Sequence, residues 1–146
     1  MPVGQGVVSA LIGMGSNIDA EHNLLVAAAA LRAAYGDVSF SSVYRSAAVG
    51  MEGPDFLNAC CLLRTGRSQQ SLRMHLKMLE DLQGRDRSVG GWHPRSIDLD
   101  VLIYDGEAVD EELYLYAHAY VPAAELVRMS LPEDRDGVVA LVSLRL

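Results

Sequence analysis

Apolar residues fall along the chain in short blocks whose period alternates between that of a strand and that of a helix. Val7 to Met14 is a nearly continuous apolar run, closed by Gly13, Gly15, Ser16 and Asn17, and predicts a buried strand. Leu24, Leu25, Leu31 and an alanine run then recur at helical spacing, predicting a helix to about Ala34 capped by Asn17 or Asp19. Val38 to Arg45 reads as a strand, Ser46 to Pro54 as a loop and Phe56 to Arg64 as another strand. Ser68 opens a second predicted helix, with Leu72, Leu76, Leu79 and Leu82 on one side and Gly84 as its stop. A glycine-containing loop, Arg85 to Arg95, leads to a strand over Ile97 to Tyr104. Pro122 is expected to open a short helix over Ala123 to Arg128, and Val138 to Leu144 to add an edge strand.

The core order is strand, helix, strand, strand, helix, strand. This predicts an α/β (α+β) chain with a ferredoxin-like βαββαβ core, in one domain spanning 1–146. Such a fold serves many activities, so function must be read from particular residues.

Composition narrows the choice. Half the residues are apolar and 21% are charged, which excludes a disordered chain. The net charge of −7 argues against nucleic acid as the main partner, so any polyanionic ligand must be met by a local basic cluster. The adjacent Cys60 and Cys61 point to opposite faces of a strand and have no metal-binding spacing, so both read as reduced, buried thiols. Residues 1–6 carry no basic side chain, unlike a secretory signal, and no apolar run is long enough to span a bilayer. The expectation is a cytoplasmic protein, a monomer or weak homodimer, acting on small molecules with neither membrane nor nucleic acid as partner.

The informative stretch lies around residues 84–100. Residues two apart on a strand share a face, so Ile97, Leu99, Val101 and Ile103 predict one apolar face. Asp98 and Asp100 share the other, about 6.5–7 Å apart from the rise of a strand. Two neighbouring carboxylates repel each other, and a divalent cation removes that cost. Magnesium suits such a pair because it is held by a few carboxylates together with phosphate oxygens and water. Arg85, Arg87 and Arg95 stand just upstream in an otherwise acidic chain, and arginine forks match phosphate oxygens. Carboxylates for metal beside arginines for phosphate is the set that phosphoryl transfer requires. Trp92, between glycines and His93, is either a hydrophobic anchor or part of a lid over a nucleotide. A second cluster holds Phe56 and Asn58 on one strand face, where a ring and a primary amide could hold a flat heterocycle. The alternative is a core Phe56 and an edge Asn58. His22 and His75 read as solvated or partly packed, the Met74 and Met78 pair as core, and Asp110-Glu111-Glu112 as a solvated turn.

These residues resemble a known family. Gly15-Ser16-Asn17, Ser42-Val43-Tyr44-Arg45, Pro54 through Ala59, Gly84-Arg85 and Trp92-His93-Pro94-Arg95-Ser96-Ile97-Asp98-Leu99-Asp100 stand in the order and nearly the spacing of the 6-hydroxymethyl-7,8-dihydropterin pyrophosphokinases of folate biosynthesis. The resemblance implies a ferredoxin-like fold and transfer of pyrophosphate from the co-substrate ATP to the pterin hydroxymethyl, with release of AMP. It implies two magnesium ions on Asp98 and Asp100, with Asp98 also hydrogen-bonding toward the reacting hydroxyl. Arg85 and Arg95 would contact phosphates and Trp92 would lie in the catalytic lid. Glu80, Arg87, Ile97 and His118 would contact the nucleotide. Phe56 would stack on the pterin, while Asn58 and the backbone near Ser46, Ala47 and Val49 would read its edge. The chain departs from the family at His93, at Ser46-Ala47, at Ser88 and Gly91, and in a shortened segment after His118. That segment supplies, in the family, a phosphate-binding arginine and a second aromatic wall, for which Tyr116 and Tyr120 are the available rings. The shortening leaves open an alternative: a diverged relative that binds pterin or nucleotide with weak or no transfer activity.

Overall fold

The structure, a computed structural model, describes residues 6–47, 54–83, 96–128, 137 and 139–146. Seven strands form one antiparallel sheet: β1 (Val8–Ser16), β2 (Ser39–Phe40), β3 (Val43–Ser46), β4 (Phe56–Thr65), β5 (Asp98–Tyr104), β6 (Glu107–Ala108) and β7 (Val139–Val142). Their order is β6-β5-β1-β4-β3-β7, with β2 also pairing to β4. The central four, β5-β1-β4-β3, with α1 (Ala20–Tyr35) after β1 and α2 (Gln69–Leu82) after β4, make the expected ferredoxin-like α+β core. The expected C-terminal edge strand is β7, which pairs antiparallel with β3.

One face of the sheet is sealed by α1 and α2. Ala10, Ile12 and Met14 of β1, Ala59, Cys61 and Leu63 of β4, and Ile97 just before β5 with Leu99 and Val101 of β5, meet Leu24, Ala27, Ala28 and Leu31 of α1 and Leu72 and Leu76 of α2. Ser68 caps α2 as expected, its hydroxyl accepting from the Ser71 N–H at 3.1 Å. Asp19 occupies the N-cap position of α1, but in a left-handed backbone conformation and without a side-chain cap bond. The opposite face is covered over part of its area by α3 (Glu112–Leu115) and α4 (Ala117–Leu126), where Leu11, Cys60, Leu102, Leu113, Ala119 and Ala123 form a smaller core.

Several expectations are corrected. The predicted strand Val38–Arg45 is broken at Ser41 and Ser42. Phe40 lies opposite Cys61 and Tyr44 opposite Asn58, so four steps on one strand match three on the other, and Ser41 bonds Cys60 through both backbone and hydroxyl. Ile103 does not continue the helix-side face. Leu11 pairs with Ile103 but Ile12 with Val101, so Leu102 is an extra residue that turns the strand and brings both Leu102 and Ile103 to the second face. Pro122 lies inside α4 instead of opening it, because burial of Ala119 and Ala123 offsets the hydrogen bond that proline cannot donate. Met74 (65% exposed) and Met78 (49%) lie on the solvent side of α2, as does Leu82 (75%), whereas Leu72 and Leu76 face the sheet. His75 is partly packed as expected, and its Nδ1 meets the Tyr35 hydroxyl.

Candidate active site

Where α3 and α4 stop short of covering the sheet, a cavity of about 300 Å³ opens. Its floor follows from the strand register. Gly15 of β1 lies between Asn58 of β4 and Asp98 of β5, and Gly13 lies between Cys60 and Asp100. Each row thus runs polar or thiol side chain, glycine, carboxylate. Missing side chains on the middle strand leave the space between Asn58 and Asp98 open, a span of about 10 Å across two strand spacings. A Cβ at Gly13 would crowd Leu102 Cδ1 at 3.0 Å, and one at Gly15 would stand 3.5 Å from Asn58 Oδ1.

The walls come from separate elements. Phe56 and Asn58 rise from β4, Ser46 and Ala47 from the end of β3, and Glu112, Tyr116, His118 and Ala119 from α3 and α4. The Tyr116 and His118 rings are stacked, 5.2 Å between centroids and 12° between planes. Burial lowers the His118 pKa, which favours the neutral imidazole. Asn58 is 6% exposed, and its Nδ2 donates to Ser46 Oγ at 2.8 Å and to the Tyr44 carbonyl at 3.3 Å. Glu125 anchors α4 to the neighbouring strand edge. Its carboxylate accepts from the Ser42 N–H and hydroxyl, both at 3.0 Å, and from the Tyr44 hydroxyl. The Glu125 bond, followed by burial, pushes the Tyr44 phenol up to about 12.

Of the residues singled out from sequence, the cavity brings together Asp98, Asp100, Phe56, Asn58, Ser46, Ala47 and His118. Glu80 and Ile97 are placed elsewhere. Both side chains are buried, at 2% and 1% exposure, and neither lines the cavity. Ile97 belongs to the helix-side core, and Glu80 of α2 accepts the Leu99 N–H at 2.8 Å. Arg85, Arg87, Trp92, Arg95 and Val49 lie outside the described residues.

Sequence reasoning missed Glu112. The acidic run reads as a solvated turn, yet Glu112 begins α3 and lines the cavity. Burial, then the charges of Asp110, Asp100 and Asp98, raise its pKa to about 7. The available signal was the apolar Leu113 beside it, which turns this segment inward. Tyr116, one of two candidate rings, lines the cavity, and Tyr120 does not. Among the described residues no three His, Cys, Asp or Glu side chains are arranged to hold one ion. A cation on Asp98 and Asp100 would therefore draw its remaining oxygens from substrate and water, a donor set that fits magnesium.

Residues 11–135 match the family model described as 7,8-dihydro-6-hydroxymethylpterin-pyrophosphokinase (HPPK). The chain belongs to this family. It is 32% identical over 127 residues to the 2-amino-4-hydroxy-6-hydroxymethyldihydropteridine pyrophosphokinase of Synechocystis, an alignment that covers 85% of this chain and 65% of that one. The protein of the same name from Haemophilus influenzae is 31% identical, with 91% of this chain and 85% of the relative covered. That from Bacillus subtilis is 34% identical, with 88% and 87% covered. Membership places the chain among the pyrophosphokinases, transferases of diphosphate groups. The pyrophosphokinase match runs from within β1 through α4 and includes every residue that lines the cavity. No helix among the described residues is long and apolar enough to cross a membrane.

Proposed function

We propose that the chain transfers a diphosphate group from magnesium-bound ATP to 6-hydroxymethyl-7,8-dihydropterin, giving AMP and the pterin diphosphate, in folate biosynthesis. The observation that carries this reading is the row Asn58–Gly15–Asp98, which sets a heterocycle-binding amide and a carboxylate at the two ends of one glycine floor. The pterin lies over Gly15 with its polar edge at Asn58 and its hydroxymethyl toward Asp98. Phe56 supports one side of the ring, and Tyr116, braced on His118, supplies the wall lost with the shortened segment.

Asp98 and Asp100 would hold the magnesium ions, which when bound neutralise charge on the polyphosphate. Asp98 accepts a hydrogen bond from the substrate hydroxyl and orients its oxygen. That oxygen forms the new bond to the β-phosphorus of ATP and releases its proton to solvent by way of the Asp98 carboxylate, while the bond from this phosphorus to the α–β bridging oxygen breaks and AMP leaves. Arg85 and Arg95 contact the phosphates, Arg87 and His118 the nucleotide, and Trp92 closes with the lid. The chain's own contribution is positioning and exclusion of water, the terms expected to dominate phosphoryl-type transfer.

The test is AMP release from ATP on addition of the hydroxymethyl pterin, with magnesium present. AMP should appear only with the pterin and disappear in Asp98→Ala and Asp100→Ala. ADP in place of AMP would exclude diphosphate transfer. The short link between His118 and Pro122 supports a second reading, a relative that binds pterin or nucleotide with weak or no turnover. Calorimetry showing tight binding of both ligands without AMP release would favour it.

A further inference from the structure

The hydrogen bonds around Asn58 fix which of its amide atoms the cavity meets. The Tyr44 carbonyl can only accept, so the amide NH2 must be the group that faces it. The same Nδ2 donates to Ser46 Oγ at 2.8 Å, a buried contact between two side chains that are 8% and 6% exposed. Both N–H bonds of Asn58 are thereby committed to β3. Its Oδ1 takes no hydrogen bond from the described residues and points to the Gly15 side, where a methyl group on Gly15 would sit 3.5 Å away. The cavity is therefore offered an acceptor and no donor at this point.

We infer that Ser46 is a positioning residue that locks the Asn58 amide with its oxygen toward the ligand, so that the site selects heterocycles presenting an N–H donor there. This rests on the pterin reading and deepens it. The ring N–H or exocyclic amine of a 2-amino-4-oxopyrimidine satisfies Oδ1, whereas a ring with only acceptors at this edge leaves a buried oxygen unpaired. Ser46 acts through Asn58 and touches no reacting atom. Its loss should weaken heterocycle binding and leave the transfer step alone.

The experiment compares the full chain with Ser46→Ala, Ser46→Thr and Asn58→Asp, using 6-hydroxymethyl-7,8-dihydropterin and magnesium–ATP. Ser46→Ala should raise the pterin KM about tenfold, the scale of one mis-set hydrogen bond, with kcat and the ATP KM unchanged. Ser46→Thr, which keeps the hydroxyl, should restore the pterin KM to within about threefold of the parent. Asn58→Asp turns a carboxylate toward the Tyr44 carbonyl and should lose more than Ser46→Ala. In the unaltered chain, a pterin methylated at both the ring N–H and the amine should bind at least about 50-fold more weakly. An unchanged pterin KM in Ser46→Ala, parallel changes in the ATP KM and Tm, failure of Ser46→Thr to restore the KM, or equal binding of the methylated pterin would each overturn the inference while leaving the pterin reading standing. An unaltered chain that binds no pterin at all would remove the reading itself.

Discussion

The two faces of the sheet are built from alternate residues of the same strands, yet they are organised for different ends. Under α1 and α2, β5 and the residue before it contribute Ile97, Leu99 and Val101, all nearly fully buried. On the other face the same strand contributes Asp98 and Asp100, and β1 contributes glycines where the first face has Ile12 and Met14. The first face is filled to close packing and carries the stability. The second is held open by missing side chains and places two carboxylates side by side. Stability and chemistry are separated here by a single residue step.

Neighbouring substitutions in β5 probe that separation most severely. Asp98→Asn should lower diphosphate transfer at least about 100-fold, a far larger effect on activity than on the urea midpoint. Leu99→Ala, one residue along, should cost about 2–5 kcal/mol in urea unfolding through the cavity it leaves. A Leu99→Ala protein as stable as the parent would break the assignment of this face to stability.

A smaller effect is expected at Glu112. Its folded pKa, about 7, lies above the ordinary value of 4.5, so its neutral form is favoured in the folded state. Its contribution is fully present below about pH 4.5 and is lost as pH rises through about 7. Glu112→Gln should therefore match the parent near pH 4 and exceed it at pH 8, by about 1 kcal/mol after allowing for partial solvent exposure. Thermal unfolding across pH measures this, and magnesium should narrow the gap by neutralising Asp98 and Asp100. A gap that does not open with pH would remove Glu112 from the electrostatics of the cavity. The smallest change is Ser68→Ala, which removes the α2 cap and should cost about 1 kcal/mol of stability with kcat unchanged. Loss of kcat there would mean that the helix face is not separable from the site.

Much of the fold was legible because β1, α1, β4, α2 and β5 have strong periodicity and clear stops. What escaped depends on partners distant in the chain. The break at Ser41 is set by Cys60, the turn of Ile103 by the pairing of β5 with Leu11 and Ile12, and the start of α4 by burial of Ala119 against β4. Within the site, Asp98, Asp100, Phe56 and Asn58 could be read from spacing because each pair shares a strand face. Glu112 could not, since its exposure depends on where α3 docks. The bond from the Leu99 N–H to the buried Glu80 carboxylate could not be read from spacing either, since it joins α2 to β5. Met74 and Met78 show the limit of reading composition without facing: apolar identity does not say which side of a helix meets the sheet.

The extra residue at Leu102 acts as a phase break within β5. Upstream, the alternation is tied to the Asp98–Asp100 pair; downstream, it restarts for the turn into β6. A length change in the β5–β6 hairpin therefore need not reverse which side the carboxylates occupy. A deletion upstream of the break would send both of them into the oily interior at once.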